Sequence, residues 1–207
     1  MNRENFCRKF DKTVAAFGER KPSILLHSCC GPCSSSVLEL LSQFFDVTVL
    51  WYNPNLYPEA EFVKRLNTQK MLLEKIGADG VKAQLLTEPW RSEEYFARVK
   101  GLENEPEEGL RCRECFRLRL EETARLASER GFDFFCTTLT VSSRKDAVII
   151  NAIGRECAAK YGVSWLPSEF KKREGNHRSI ILSEKYGLYR QEYCGCVFSL
   201  KNTGHGE

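Results

Sequence analysis

The chain has 207 residues, of which 42% are hydrophobic and 29% charged, and its 31 basic and 28 acidic side chains give a net charge of +3. This length and composition indicate a soluble globular protein with one main domain and a core of its own. No run of 18 apolar residues occurs, which excludes a transmembrane helix. The first residues, MNRENFCRKFDKTV, lack the apolar stretch of a secretory signal, so we expect a cytoplasmic protein without a membrane partner.

The first half of the chain alternates short apolar runs with helical patterns of hydrophobic residues. The apolar runs predict strands at 23–28, 46–52 and 81–86. The intervening patterns predict helices at 34–44 and 59–76. The first predicted strand leads directly into the turn CCGPC.

The second half continues the alternation. It predicts helices at 90–100, 107–131, 143–162 and 176–187, with strands at 132–139 and 163–170. Strands that alternate with helices predict an α/β fold, with a parallel sheet and helices on both faces. Ligands bind such sheets beyond the carboxyl ends of the strands, so the turn CCGPC and the segment TTLTVSSRKD should face one crevice.

Ten cysteines are the most informative feature of the sequence. Disulfides are not maintained in the cytosol, so we expect these cysteines to bind metal or to carry out redox chemistry. Three scatter along the chain as packing residues do: Cys7, Cys136 and Cys157. The other seven form three tight groups: Cys29, Cys30 and Cys33; Cys112 and Cys115; Cys194 and Cys196.

The number of clustered cysteines limits the kind of metal site. A structural zinc takes four ligands, so seven cysteines are too many for one zinc, and only three histidines are available for mixed ligation. A four-iron cluster held by four thiolates fits the count and leaves three sulfurs over. Helix N-termini, predicted near Cys33 and Cys112, favour the thiolate form that a metal requires.

A basic run, KKREGNHR at 171–178, follows the last predicted strand. It predicts either a solvated loop or an edge that binds phosphate. The candidate phosphate contacts are Lys171, Lys172, Arg173, Arg178 and, further along the chain, Arg190.

Six segments together resemble a known family, the cobalamin-independent epoxyqueuosine reductases of the QueH type. They are LHSCCGPCSS (26–35), WYNPNLYPEAEFVKR (51–65), RCRECFRLRLEETA (111–124), TTLTVSSRKD (137–146), EFKKREG (169–175) and LYRQEYCGC (188–196). Ser143 and Arg144 depart from the family pattern, so we assign them no role. Residues 1–22 match no part of the family and are expected to form a variable N-terminal arm before a single catalytic domain at 23–207.

The resemblance implies an oxidoreductase that completes queuosine biosynthesis on tRNA. Its reaction is the reduction of epoxyqueuosine to queuosine at the wobble position, with loss of the epoxide oxygen as water. The implied partners are the tRNAs for aspartate, asparagine, histidine and tyrosine and an unidentified electron donor. The implied fold resembles the Rossmann-related fold of the adenine-nucleotide hydrolases. Because CCGPCSS stands where those relatives carry a Gly-rich phosphate loop, we do not expect use of ATP.

The resemblance also implies an iron–sulfur cluster, and we assign Cys29, Cys30, Cys112 and Cys115 as its ligands. Two roles stay open for the remaining sulfurs. Cys194 and Cys196 could cycle between dithiol and disulfide, or they could join Cys33 around a second iron that polarises the epoxide oxygen.

Three further side chains are candidates for contact with the substrate. Tyr193 and Tyr189 could donate a proton or stack on the base, and Asn53 could bind the diol of the substrate. Two rival functions remain: an iron–sulfur tRNA thiolation enzyme, which would need a site for ATP, and a zinc-binding module that grips RNA.

Overall fold

The computed structural model describes residues 4–172 and 174–201. Its strands form one parallel sheet in the order β3-β2-β1-β4-β5. They are β1 (Ser23–His27), β2 (Asp46–Trp51), β3 (Ala83–Thr87), β4 (Phe134–Thr137) and β5 (Ser164–Trp165). The predicted parallel α/β sheet is therefore confirmed.

Helices cover both faces of this sheet. They are α1 (Phe6–Ala15), α2 (Gly31–Leu41), α3 (Glu59–Ala78), α4 (Ser92–Arg98), α5 (Leu110–Glu129), α6 (Ala147–Tyr161), α7 (Gly175–Tyr186) and α8 (Val197–Lys201). Helix α2 packs against α3 and α7, whereas α5 packs against α6. Parallel crossovers are right-handed, so the reversal of strand order after β3 puts α5 and α6 on the face opposite α2 and α3. None of the described helices is long and apolar enough to cross a membrane.

Some elements differ from the sequence predictions. Helix α1 was not predicted and lies within the expected N-terminal arm, yet it buries Phe10, whose ring meets those of Phe44 and Phe170 edge-on at 6.1 and 6.3 Å. The predicted strand at 163–170 is reduced to two residues. Helix α6 begins four residues later than expected, because the Asp146 carboxylate caps it by accepting the Val148 amide at 2.7 Å.

A buried histidine joins the carboxyl ends of the three central strands. His27 ends β1, and its Nε2 donates to the carbonyl oxygen of Tyr52, just beyond β2, at 3.2 Å. Its Nδ1 therefore accepts from the Thr137 hydroxyl at the end of β4, at 2.9 Å. Burial, assisted by the charge of Arg119, lowers the pKa of His27 to about 4. The ring is therefore neutral at physiological pH.

The cysteine turn after β1 is fixed by hydrogen bonds from β2 and α3. The Ser28 amide donates to the Leu50 carbonyl at 3.0 Å, and the Asn53 side-chain amide donates to the Ser28 carbonyl at 2.7 Å. The hydroxyls of Ser28 and Ser34 both donate to Gln69 Oε1 on α3, each at 2.8 Å. The turn is thus a rigid platform for its three thiols.

The C-terminal cysteine segment is held by a buried arginine of α3. Arg65 is 1% exposed, and its Nη1 and Nη2 donate to the carbonyls of Cys194 and Tyr193, both at 3.2 Å. Its Nε pairs with Glu61 at 2.7 Å. The Gly195 carbonyl accepts the Tyr57 amide at 2.8 Å. The carbonyls of Tyr193, Cys194 and Gly195 are therefore all hydrogen-bonded to Arg65 or to Tyr57.

Acidification should destabilise the wild type through His27. Its pKa is about 4 in the folded chain and 6.5 in the unfolded chain, so between these pH values only the unfolded chain binds the proton. As the pH falls from 6.5 to 4, the unfolding free energy of the wild type should therefore decrease by roughly 3 kcal/mol more than that of His27→Gln. Urea denaturation across pH checks this. His177→Gln, at an exposed position, is the control, and parallel profiles for wild type and His27→Gln would contradict the assignment.

Loss of the Arg65 guanidinium should loosen the C-terminal cysteine segment. Hydrogen bonds from charged donors contribute about 1.5–3 kcal/mol, so Arg65→Gln should raise local opening of residues 190–199 by about 10- to 100-fold. Hydrogen–deuterium exchange of peptides that span this segment measures the change. Lys70→Gln, at an exposed position on α3, is the matched control. Equal exchange of the segment in the two variants would show that Arg65 does not hold it.

Candidate active site: a cavity lined by cysteines

A cavity of about 520 Å³ lies beyond the carboxyl ends of the strands. Five of the seven clustered cysteines line it: Cys33, Cys112, Cys115, Cys194 and Cys196. The turn after β1 and the segment 141–146 after β4 share its wall, so the crevice expected from the sheet is present. Cys29 and Cys30 are buried in the adjoining core. All seven are free thiols.

The first thiol group consists of the three cysteines of the turn after β1. Hydrogen bonds from the thiols of Cys30 and Cys33 hold the pKa of Cys29 well below its usual value, and the charges of Lys145 and Arg119 act in the same direction. The pKa of Cys30 is raised to about 12, chiefly by burial. Within this group, Cys29 is therefore the thiol that ionises first.

The second thiol group combines the start of α5 with the C-terminal segment. Burial raises the pKa of Cys115 to about 12, and the nearby charges of Cys194 and Cys196 act in the same direction. Burial also raises the pKa of Cys112. The predicted cluster ligands therefore come from both groups. Within residues 4–172 and 174–201, no three His, Cys, Asp or Glu side chains converge on a position suited to a single metal ion.

Two cations face these thiols without a carboxylate partner. Arg119 lies one turn after Cys115, is 2% exposed, and donates from Nε to the Cys115 carbonyl at 3.1 Å. Its Nη2 is buried without a hydrogen-bond partner, and neither Arg119 nor Lys145 makes an ion pair within the described ranges. A buried, unpaired guanidinium is costly unless negative charge lies beside it. The donor chemistry of the cavity therefore fits an anionic metal–thiolate centre.

The predicted substrate-binding side chains are divided by the structure. Tyr193 lines the cavity, but its hydroxyl donates to the Tyr57 carbonyl at 2.5 Å. Tyr189 lies elsewhere and donates to the Glu61 carboxylate. Asn53 is buried behind the cysteine turn, which it holds, and does not line the cavity. Asn55, two residues later, does line the cavity, and its buried Oδ1 has no partner.

The predicted phosphate contacts are also dispersed. Arg190 lines the cysteine cavity and donates to the Ser183 hydroxyl at 3.1 Å. Lys171 donates to the Lys145 carbonyl at 2.9 Å. Lys172 and Arg178 line a separate cavity of about 410 Å³, where Arg178 makes a bidentate pair with Glu39 at 2.6 and 2.8 Å. Arg173 lies outside the described residues.

Several cavity residues were assigned no role from the sequence. They are Asn55, Tyr95, Arg119, Arg144 and Lys145. The four-residue spacing from Cys115 to Arg119 on a predicted helix was a usable signal, because it places both on one face. Arg65 gave no such signal, since its partners Tyr193 and Cys194 are 128 and 129 residues away in sequence.

The comparison with solved structures gives a match that covers most of the chain. It is the U34-tRNA thiolase NcsA from Methanococcus maripaludis, described with its [4Fe-4S] cluster. The alignment covers 97% of the present chain and 74% of that chain, with a TM-score of 0.46 and 15% sequence identity.

Sequence comparison gives a closer match. Residues 24–202 match the family model for epoxyqueuosine reductase QueH. Relatives with that name are found in Streptococcus pyogenes serotype M1 (45% identical, over 89% of the chain and 72% of the relative), Staphylococcus epidermidis (41%, 99% and 87%) and Thermotoga maritima (35%, 86% and 90%). The resemblance predicted from sequence, and with it the oxidoreductase class, is confirmed. The chain belongs to the epoxyqueuosine reductase QueH family.

Proposed function

We propose that this protein reduces the epoxide of epoxyqueuosine in the wobble nucleotide of tRNA and so produces queuosine. Two electrons and two protons enter, and the oxygen leaves as water. Family membership supports the substrate. The observation that carries the proposal is the convergence of three distant cysteine groups on one cavity, because removal of an epoxide oxygen needs a concentrated source of reducing equivalents.

We further propose that Cys29, Cys30, Cys112 and Cys115 hold a four-iron, four-sulfur cluster. When bound, such a cluster supplies electrons one at a time. The charges of the buried Arg119 and the half-buried Lys145 stabilise the thiolates that ligation requires. Helix α2 adds to this effect, because its N-terminus, capped by the Cys30 sulfur, lies at the turn.

The C-terminal pair is proposed as the two-electron reductant. Oxidation of the Cys194 and Cys196 thiols to a disulfide releases two electrons and two protons, which balances the loss of one epoxide oxygen as water. A bond across one intervening residue is strained and hence easily reduced again, by electrons from the external donor. Ligation of a second iron by Cys33, Cys194 and Cys196 is the alternative. Cys33 lines the same cavity as Cys194 and Cys196, so the iron content of the variants below decides between the two roles.

The remaining cavity residues are proposed to orient the nucleoside. A volume of about 520 Å³ is typical of a small-molecule site. The free amide oxygen of Asn55 is placed to accept from substrate hydroxyls, while Asn53 supports the turn. Tyr193 is the candidate proton donor: burial raises its pKa to about 12, which keeps the phenol protonated, and its O–H exchanges the Tyr57 carbonyl for the substrate when the substrate binds. Arg190 is the candidate phosphate contact within the cavity.

An anaerobic assay tests the reaction and the role of the pair together. Wild-type protein, epoxyqueuosine-containing tRNA and dithionite should yield queuosine, detected by nucleoside mass spectrometry. Cys194→Ser and Cys196→Ser should each abolish turnover while iron and acid-labile sulfide stay at wild-type levels. Cys157→Ala, which removes a thiol from the core of α6, should retain activity.

Three outcomes would contradict these proposals. Full activity in both C-terminal variants would remove the pair from the chemistry. Loss of iron in either would make that cysteine a cluster ligand. Colourless wild-type protein that binds zinc and leaves epoxyqueuosine unchanged would favour the RNA-binding module.

Arg119 should set the reduction potential of the bound cluster. Loss of a nearby positive charge disfavours the reduced cluster, so Arg119→Gln should lower the potential by on the order of 100 mV. Redox titration monitored by electron paramagnetic resonance measures this shift. Arg117→Gln is the matched control, because Arg117 lies on the same helix and pairs with Glu156 at 2.7 Å. Equal potentials in the two variants would rule out the role of Arg119.

A further inference from the structure

Two exposed aromatic rings form a surface beside the C-terminal cysteine segment. Tyr57 is 38% exposed and Phe96 is 40% exposed. Their rings meet edge-to-face, with centroids 6.4 Å apart and an interplanar angle of 82°. In the part of the chain that the structure describes, they are the two aromatic residues among the exposed large hydrophobic side chains. We call this pair the aromatic rim.

The aromatic rim is connected to the wall of the cysteine cavity through the main chain of Tyr57 and the residue before Phe96. The Tyr57 amide donates to the Gly195 carbonyl, and the Tyr57 carbonyl accepts from the Tyr193 hydroxyl. Phe96 directly follows Tyr95, which lines the cavity and packs in one buried cluster with Cys196. The main chain of Tyr57 and the residue before Phe96 thus contact the segment that carries Cys194 and Cys196, which brings the exposed rings near the cavity, although they do not line it.

Entry of the substrate creates a need for such a surface. A nucleotide that enters a cavity leaves the base stack of its loop, and its neighbours lose a stacking partner. Aromatic side chains commonly replace that partner in recognition of unpaired RNA. We propose that the aromatic rim stacks an unpaired anticodon-loop base adjacent to the modified nucleotide. The proposal rests on the proposed function, because it takes the anticodon loop as the ligand.

The charge of the cavity wall supports stacking as a source of affinity. Arg113, Arg144 and Arg190 can meet phosphates on either side of the inserted nucleotide. Acidic side chains line the same cavity and nearly balance its five basic ones, which include Arg119 and Lys145: Glu107, Glu108, Asp146 and Glu192. Stacking on the aromatic rim does not depend on net charge and adds to this weak attraction.

The small size of the aromatic rim favours a base over a protein partner. A stable protein interface buries about 800 Å² on each side, and two half-exposed rings supply only a small part of that area. A single base, by contrast, is matched by one or two rings.

The test measures energetic coupling between Phe96 and one base of the RNA. Binding is measured anaerobically without reductant, by fluorescence anisotropy, with a labelled anticodon stem-loop that contains epoxyqueuosine. Two further stem-loops carry an abasic nucleotide on the 5′ or 3′ side of the modified position. Phe96→Leu should weaken binding of the intact stem-loop by about 5- to 150-fold. One abasic stem-loop should show a similar loss with wild-type protein and little further loss with the variant.

Matched variants make the result specific to aromatic character. Phe96→Tyr should retain wild-type affinity. Ile181→Ala, at an exposed position on α7, should have no effect. If Phe96→Leu does not fold, Tyr57→Leu takes its place, with Tyr57→Phe as its conservative partner.

Three outcomes would overturn the proposal. Unchanged affinity of Phe96→Leu for the intact stem-loop would show that the aromatic rim does not contact RNA. If turnover of Phe96→Leu is impaired only when reduced ferredoxin replaces dithionite, the aromatic rim binds a protein electron donor instead. Additive losses from Phe96→Leu and both abasic stem-loops would show that the ring and the base do not meet. Failure of the reductase activity is detected separately, because wild-type turnover is measured apart from binding.

Discussion

The arrangement of this site depends on how the charge of one buried arginine is neutralised. Arg119 is almost fully buried and has no carboxylate partner among the described residues, so its surroundings must supply negative charge. The thiols of Cys29, Cys115 and Cys194 lie near enough to interact with its charge, and any of them that is ionised stabilises the guanidinium and is stabilised by it. The positive side chains and the thiols of the cavity therefore stabilise each other electrostatically.

The second buried arginine, Arg65, has a structural role. Arg65 has its carboxylate, Glu61, on the same helix, and its remaining N–H groups bind main-chain carbonyls. It therefore acts as a structural clamp, whereas Arg119 is available to respond to charge. Two arginines of similar burial thus differ in role because one is already neutralised and the other is not.

The sequence was sufficient for the sheet and for the grouping of most clustered cysteines. Alternating apolar and helical patterns predicted all five strands, and five of the seven clustered cysteines line one cavity. The extent of β5 was not predictable, because an apolar run does not reveal how much of it pairs with a neighbour. Helix α1 was missed although Phe6 and Phe10 are one turn apart. Its short apolar pattern is stabilised by packing on distant residues, Phe44 and Phe170, which the local sequence does not show. The arrangement of the thiols and the contact of Arg65 with Cys194 depend on distant parts of the chain, which no local pattern records.

The glycine between the two C-terminal cysteines has a mechanical consequence. Gly195 adopts a φ of +127°, and a Cβ there would lie 2.4 Å from a methyl carbon of Leu56, so no other residue fits without displacement. With its carbonyl bound by Tyr57 and the preceding carbonyls bound by Arg65, the main chain on which the two sulfurs stand is immobilised. Any change in the bonding of those sulfurs is then confined to side-chain torsions. A centre that must pass repeatedly between two states gains from this, because each passage rearranges few atoms and leaves the wall of the cavity unaltered for the next substrate.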